Sequence, residues 1–437
     1  MTILTKIDSL FQKRKFVFLL FFFLILFQLV YSFIYPSADV SCDYWKNIKE
    51  MSFYEGYSES YSYDSFDNSI MKKVYPFLSN YYINGDAGAH IILAHDFPQH
   101  YFRGHLAYLD RPLYSFLVYL ISRPLHLISD SYSLTFAAGI FLNFILFFFT
   151  VIFFYLLVKK IISSRVALLS SFLLIFSSFT HVWLNQPDTN IFGAFFVIFS
   201  LYLLYNYINR PSLKKLIAFS LIIGILMLGK MILAISLFIL ILAFFFKRYK
   251  EGILFLTIHL IPLAGWYLLV TKIFHFSFYT NRDIAVFKIT LIEGWIFKIF
   301  QVPWQETFRV LLYGLPLFFT AVIFGFLSIP VILALIGFKK LPLKGKNIFC
   351  LSFVFSFFAL FLSMDYYTPR HAFLIFPVIY PLAILGIDMI AGFLKKYGNW
   401  CSLVFYFATF IFLIIISSVD IFKIFPYGIG LISSNLW

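Results

Sequence analysis

Apolar runs of about twenty residues, separated by short polar or basic stretches, recur from residue 16 almost to the last residue. Wound as a helix at 1.5 Å per residue, such a run crosses the roughly 30 Å hydrocarbon layer of a bilayer. In lipid the backbone must satisfy its own hydrogen bonds, which leaves helices as the form for these runs. With 62% hydrophobic and 12% charged residues among 437, the chain is more apolar than a soluble core can absorb. We therefore expect an all-α polytopic membrane protein, with residues 1–437 forming a single transmembrane module.

The formal charge of +14 would suit nucleic acid, but the basic residues sit in short clusters between apolar runs instead of forming a stripe. Nucleic acid is excluded as a partner on that ground. Cys42, Cys350 and Cys401 are too few and too scattered for a disulfide framework or thiolate metal site. The first apolar run, residues 16–35, follows Lys13, Arg14 and Lys15. It is long enough to span and is followed by no small-residue cleavage site, so it is expected to act as a retained anchor.

Further spans are expected near 134–158, 164–180, 191–207, 213–229, 231–246, 252–271, 310–337, 348–364, 372–391 and 400–418, about 11 transmembrane helices in all. With the N-terminus in the cytoplasm, every basic cluster falls on that side: Lys159, Lys160 and Arg165; Arg210, Lys214 and Lys215; Lys247, Arg248 and Lys250; Lys339, Lys340, Lys344 and Lys346; Lys395 and Lys396. Residues 113–127 are apolar too, but a crossing there would invert every later cluster. That segment is read as a helix lying in the external interface, where Tyr114, Tyr119, Arg123 and Pro124 suit the headgroup layer. Two long external loops follow, 36–133 with its juxtamembrane helices and 272–309. The protein is thus multi-pass, in the inner or plasma membrane if its source is bacterial.

Five places on the external side carry residues fit for chemistry. Asp86, in NGDAGAH (residues 84–90), either caps a short helix or takes a proton from an incoming hydroxyl. Asp110 and Arg111 precede Pro112, as a solvated pair or against a lipid headgroup. Asp188, in HVWLNQPDTN (residues 181–190), caps the next span or serves a site, since an acid so near hydrocarbon must face the bundle interior or water. Lys230, in GILMLGK (residues 224–230), either snorkels or meets an anionic headgroup. Arg370 and His371 open a late span on the side that the charge bias leaves poor in cations. An arginine there either anchors the helix or grips phosphate through paired N–H bonds. No Gly-rich nucleotide loop, paired-histidine metal motif or nucleophile elbow is present, so no metal site is assigned. The cytoplasmic loops are too short to hold a soluble nucleotide-sugar donor.

In their order and shared side, these residues resemble the membrane-embedded GT-C glycosyltransferases, in particular the protein O-mannosyltransferase and lipid A aminoarabinose transferase branch. The resemblance rests on Asp86 at the head of a short helix, on LDRPL (residues 109–113), on the Gly224 to Lys230 turn, and on YTPRH (residues 367–371) before Pro377 and Pro381. It covers residues 80–390 and implies a GT-C-like fold that transfers a hexose or pentose from a polyprenyl-phosphate donor to an acceptor hydroxyl of a glycan, lipid or protein. On that reading Asp86 is expected to be the base of an inverting reaction, Asp188 to orient the acceptor or Asp86 or to help bind a divalent ion, and Lys230, Arg370, His371 and Arg111 to hold the lipid phosphate. No cofactor is required, although a divalent cation is compatible. The family's acid lies closer behind its first span, which keeps Asp39 and Asp43 as rivals to Asp86. A lipid-linked glycan flippase or permease, and an O-antigen polymerase or ligase using a diphosphate donor, stand as alternatives.

Overall fold

A computed structural model describes residues 14–34, 90–97 except 92, 112–230, 246–269, 328–341 and 373–418, with isolated residues at 243, 272, 322, 323 and 326. Among them every regular element is helical. α1 spans Arg14–Ile34, α2 Pro112–His126, α3 Tyr132–Ile161, α4 Ser164–Ile175, α5 Ser178–Trp183 and α6 Thr189–Asn209. α7 spans Leu213–Met227, α8 Tyr249–Leu268, α9 Ile329–Gly337, α10 Phe376–Leu394 and α11 Asn399–Ser418. Five stretches are long and apolar enough to cross a membrane: Lys15–Ile34, Tyr132–Ile161, Thr189–Asn209, Phe373–Tyr397 and Asn399–Ser418. The chain is a multi-pass helical membrane protein, as expected. The expected spans at 348–364 and, apart from two residues, 231–246 lie outside the described residues, as do most of the two external loops.

The helices are apolar all round yet distinguish an inner from an outer face. In α1, Val17, Phe21, Ile25, Gln28 and Ser32 are buried at helical spacing, while Leu19, Phe23, Phe27, Val30 and Ile34 face outward. α11 turns Trp400, Val404, Phe407, Ile411 and Ile415 outward, the face left to lipid. α3, α4, α6 and α10 form the interior, where Phe154 meets Phe376 edge to face and Phe21 meets Tyr155 and Phe172 in the same manner.

Two expected spans are interrupted. The 164–180 span is two helices, because the chain leaves α4 at Phe176 and the Ser177 hydroxyl accepts the Thr180 N–H at 3.3 Å to start α5. Ser177 and Thr180 each donate a side-chain bond to the Leu174 carbonyl, at 2.8 and 2.7 Å, absorbing an acceptor the break exposes. Within 310–337, Ser328 takes a left-handed φ of 67° and α9 begins only at Ile329, with Pro330 in its first turn. Serine and proline mark the boundaries of the shorter pieces here.

Basic residues collect at one end of the bundle. Lys160 at the end of α3 donates to Asn206 Oδ1 near the end of α6 at 2.7 Å. Arg165, just beyond, lies 3.7 Å from Asp388 of α10, whose backbone carbonyl takes a bond from Lys340 Nζ at 3.2 Å. Tyr207 donates to Glu251 at 2.5 Å, and Glu251 pairs with Arg248 at 3.3 Å. The ends of α3, α6, α9 and α10 and the starts of α4, α7 and α8 therefore share a side. α2, with 15 residues, is about 22 Å long, too short to cross.

Candidate functional site

At the end away from the basic clusters, the chain enters α6 through Pro187 and Asp188. Asp188 has extended backbone angles, φ −135° and ψ 168°, and serves as the N-cap of α6. Its Oδ1 accepts the Asn190 N–H at 2.5 Å and its Oδ2 accepts the Asn190 side-chain amide at 2.7 Å. The capping role anticipated for Asp188 is thus real, but only 2% of the residue is exposed. A carboxylate that deep requires compensation.

Compensation arrives from forty residues on. α7 ends in a tight turn, with Gly229 N–H bonded to the Leu226 carbonyl at 3.0 Å, and Lys230 emerges from it pointing inward. Its Nζ donates to Asn190 Oδ1 at 2.9 Å, and the residue is 8% exposed. The snorkelling geometry open to a lysine at a span end is not adopted. Asn190 donates to the acid and accepts from the cation, placing a neutral amide between two buried charges.

Glycine makes this approach possible. A Cβ on Gly193, one turn along α6 from Asn190, would lie 2.8 Å from Lys230 Cδ and 3.3 Å from Nζ, so the lysine crosses the helix where no side chain stands. Gly229 lies directly under the Phe192 ring, leaving no room for a Cβ.

α2 closes one side of the site. Its Leu113 N–H bonds the Leu228 carbonyl at 3.0 Å, joining the start of α2 to the Lys230 turn. Tyr114 packs edge to face on Phe192 and donates to Asn143 Oδ1 at 2.9 Å. Asn143 in turn donates to the Gln186 and Trp183 carbonyls at 2.6 and 3.3 Å, fixing the loop that presents Asp188. Burial first, and the charge of Asp188 second, push the Tyr114 phenol well above its ordinary pKa. His90 meets Ser115 Oγ at 3.0 Å and stands edge to face against Tyr114.

Of the residues singled out from sequence, Asp188 and Lys230 are brought together. Asp86, Arg111, Arg370 and His371 lie outside the described residues, as do Asp39, Asp43 and Asp110. The described chain resumes at Phe373, which stacks on Phe179 of α5 with centroids 4.2 Å apart. Sequence reasoning passed over Asn190 and Asn143. Asn143 had a signal, as an isolated amide within a long apolar run; Asn190 had none beyond its place two residues after Asp188. The arrangement supplies a fixed cation, a fixed carboxylate and, from α2, a neutral phenol.

Residues 116–270 match the family described as dolichyl-phosphate-mannose-protein mannosyltransferase. That segment runs from α2 to α8 and contains Asp188, Asn190 and Lys230. No curated protein matches the chain. Among solved structures it is similar to the archaeal oligosaccharyltransferase AglB from Archaeoglobus fulgidus, in complex with an inhibitory peptide and a dolichol-phosphate. That likeness has 14% identity and a TM-score of 0.44, over 73% of this chain and 48% of AglB. It is also similar to ArnT from Cupriavidus metallidurans bound to undecaprenyl phosphate, with 12% identity and a TM-score of 0.45 over 81% of this chain and 73% of ArnT. The chain therefore spans about half the length of the archaeal enzyme. The resemblance to membrane glycosyltransferases of the GT-C type is borne out by the family match, over the segment that holds the buried acid and lysine.

Proposed function

We propose that this protein is a membrane glycosyltransferase that moves a sugar from a polyprenyl-phosphate carrier to an acceptor hydroxyl on the external face. The observation that carries the reading is the buried Asp188, Asn190 and Lys230 cluster, at the bundle end opposite the basic clusters and within the matched family segment. The basic end faces the cytoplasm by the positive-inside bias, with the N-terminus on that side, which turns the cluster outward.

In this mechanism Asp86 removes the acceptor proton as that oxygen attacks the anomeric carbon. The bond from the anomeric carbon to the phosphate oxygen breaks, inverting the configuration, and the lipid phosphate departs with its electron pair. Lys230 and Arg370 stabilise the charge developing on that phosphate, with His371 and Arg111 beside it. A phosphate leaving group needs no general acid, and the monophosphate donor calls for no metal in the chemical step. Asp188 positions Lys230 through Asn190. The transferred sugar is a hexose or pentose, and the acceptor is a glycan, lipid or protein.

Purified protein in liposomes, given a polyprenyl-phosphate hexose and a soluble acceptor, should release lipid phosphate. Asp86→Asn should abolish that release while leaving membrane insertion and abundance unchanged. Near-normal turnover by the variant would end the assignment of the base. Turnover only with diphosphate-linked donors would replace the proposed donor class.

A further inference from the structure

A second polar cluster stands apart from Asp188 and Lys230, at the other end of α2. His126 closes α2, Asp130 lies in the turn that follows, and His95 comes from the short 90–97 segment. One potential ligand atom from each lies within 4.8 Å of the others. His95 Nε2 is 3.7 Å from Asp130 Oδ1, and His126 Nδ1 is 3.5 Å from the same oxygen.

The second nitrogen of each ring explains why these two face the carboxylate. His95 Nδ1 and His126 Nε2 both lie 2.9 Å from the hydroxyl of Thr135, in the first turn of α3. A hydroxyl oxygen has two lone pairs and accepts an N–H from each ring. Protons placed there leave His95 Nε2 and His126 Nδ1 as lone pairs aimed toward Asp130, so three acceptors converge on one point. Both imidazole side chains are shielded, at 9% and 5% exposure, whereas Asp130 is 79% exposed.

We propose that His95, His126 and Asp130 bind a divalent metal ion of the zinc class, with a fourth position open to water. Two ligands about 2.0–2.1 Å from a tetrahedral zinc stand about 3.3 Å apart. The carboxylate contacts are already within a few tenths of an ångström of that spacing. The Thr135 hydroxyl plays the orienting part that a second partner of a metal-bound histidine commonly plays. Tyr132, its ring tilted 30° to that of His95 with centroids 3.9 Å apart, donates to Asp96 at 3.3 Å and buttresses the same segment.

The ion ties the 90–97 segment, the end of α2 and the start of α3 into one unit. The opposite end of α2 carries Leu113 and Tyr114, which hold the Lys230 turn and the Asp188 loop. The role is structural, at a distance from the transfer chemistry, and it does not depend on the glycosyltransferase reading.

The test uses the full chain in detergent, stripped with chelator and titrated with Co2+ and then Zn2+. One equivalent of Co2+ should give the visible absorption of a tetrahedral nitrogen and oxygen site, which Zn2+ abolishes, and Zn2+ should raise the thermal unfolding temperature. His126→Gln and Asp130→Asn should each weaken Zn2+ binding by more than about 100-fold, and Thr135→Val by about 10- to 100-fold. Because Asp130 is exposed, Asp130→Asn serves as the variant that folds normally, checked by gel filtration. Equal Zn2+ affinity in wild type and Asp130→Asn would overturn the proposal. So would the absence of stoichiometric binding in wild type, the result expected of a protonated histidine cluster only.

Discussion

Asn190→Ala removes an amide that bridges Asp188 and Lys230. The backbone N–H of residue 190 still reaches Asp188, so the cap of α6 persists. What disappears is the 2.7 Å bond to Asp188 Oδ2 and the 2.9 Å bond from Lys230 Nζ. A hydrogen bond to a charged group contributes about 1.5–3 kcal/mol, and at 8% exposure Lys230 has little solvent to screen it. If Lys230 acts mainly on the departing phosphate, that loss lowers turnover by about 10- to 150-fold at 1.36 kcal/mol per decade. The assay is release of lipid phosphate from proteoliposomes, normalised to reconstituted protein, for Asn190→Ala, Lys230→Met and the double variant. Because Asn190 works by holding Lys230, the double variant should fall within about threefold of Lys230→Met alone. Losses that multiply across the two positions, or a single Asn190→Ala variant within about twofold of wild type, would refute the positioning role.

Gly193→Val should displace the Lys230 side chain, since even a Cβ there would lie 2.8 Å from Lys230 Cδ; a large loss of turnover with the thermal unfolding temperature little changed would be the expected pair of readings. Asn143→Leu strips the partner from the Tyr114 hydroxyl and from two carbonyls of the Asp188 loop, and should destabilise the protein by about 2–4 kcal/mol, read by denaturant or thermal unfolding in detergent. Reporter fusions following Lys160, Arg210, Lys340 and Lys396 should all report the cytoplasm, and fusions at Gly85 and Pro369 the external side; a split between those last two would remove any shared active site.

Much of the fold was legible in the chain because membrane insertion reads properties that are local in sequence. The lengths of α1, α6 and α11 follow from runs of apolar residues matched to the bilayer thickness. The gathering of Lys160, Arg165, Lys340 and Arg248 at one end follows from loop charges alone. The short α2 was legible from the same charges, because a crossing there would have inverted every later cluster. The breaks after α4 and before α9 were not, since an apolar window averages over a serine whose side-chain bonds to Leu174 become possible only once the helix has opened.

The candidate site divides along the same line. Residue type and place in the loops singled out Asp188 and Lys230, because charged groups beside hydrocarbon are costly and therefore conspicuous. That they share one amide, across forty positions of sequence and over a glycine that leaves room for the lysine, was decided by the packing of α6 against the end of α7. The same holds for His95 and His126, which are 31 positions apart and meet at Thr135. Sequence spacing carries ligand geometry only when one helix or turn supplies all the ligands; here His126 and Asp130 come from the end of α2 and its turn and His95 from the 90–97 stretch, so that only folding brings the nitrogens and the carboxylate together.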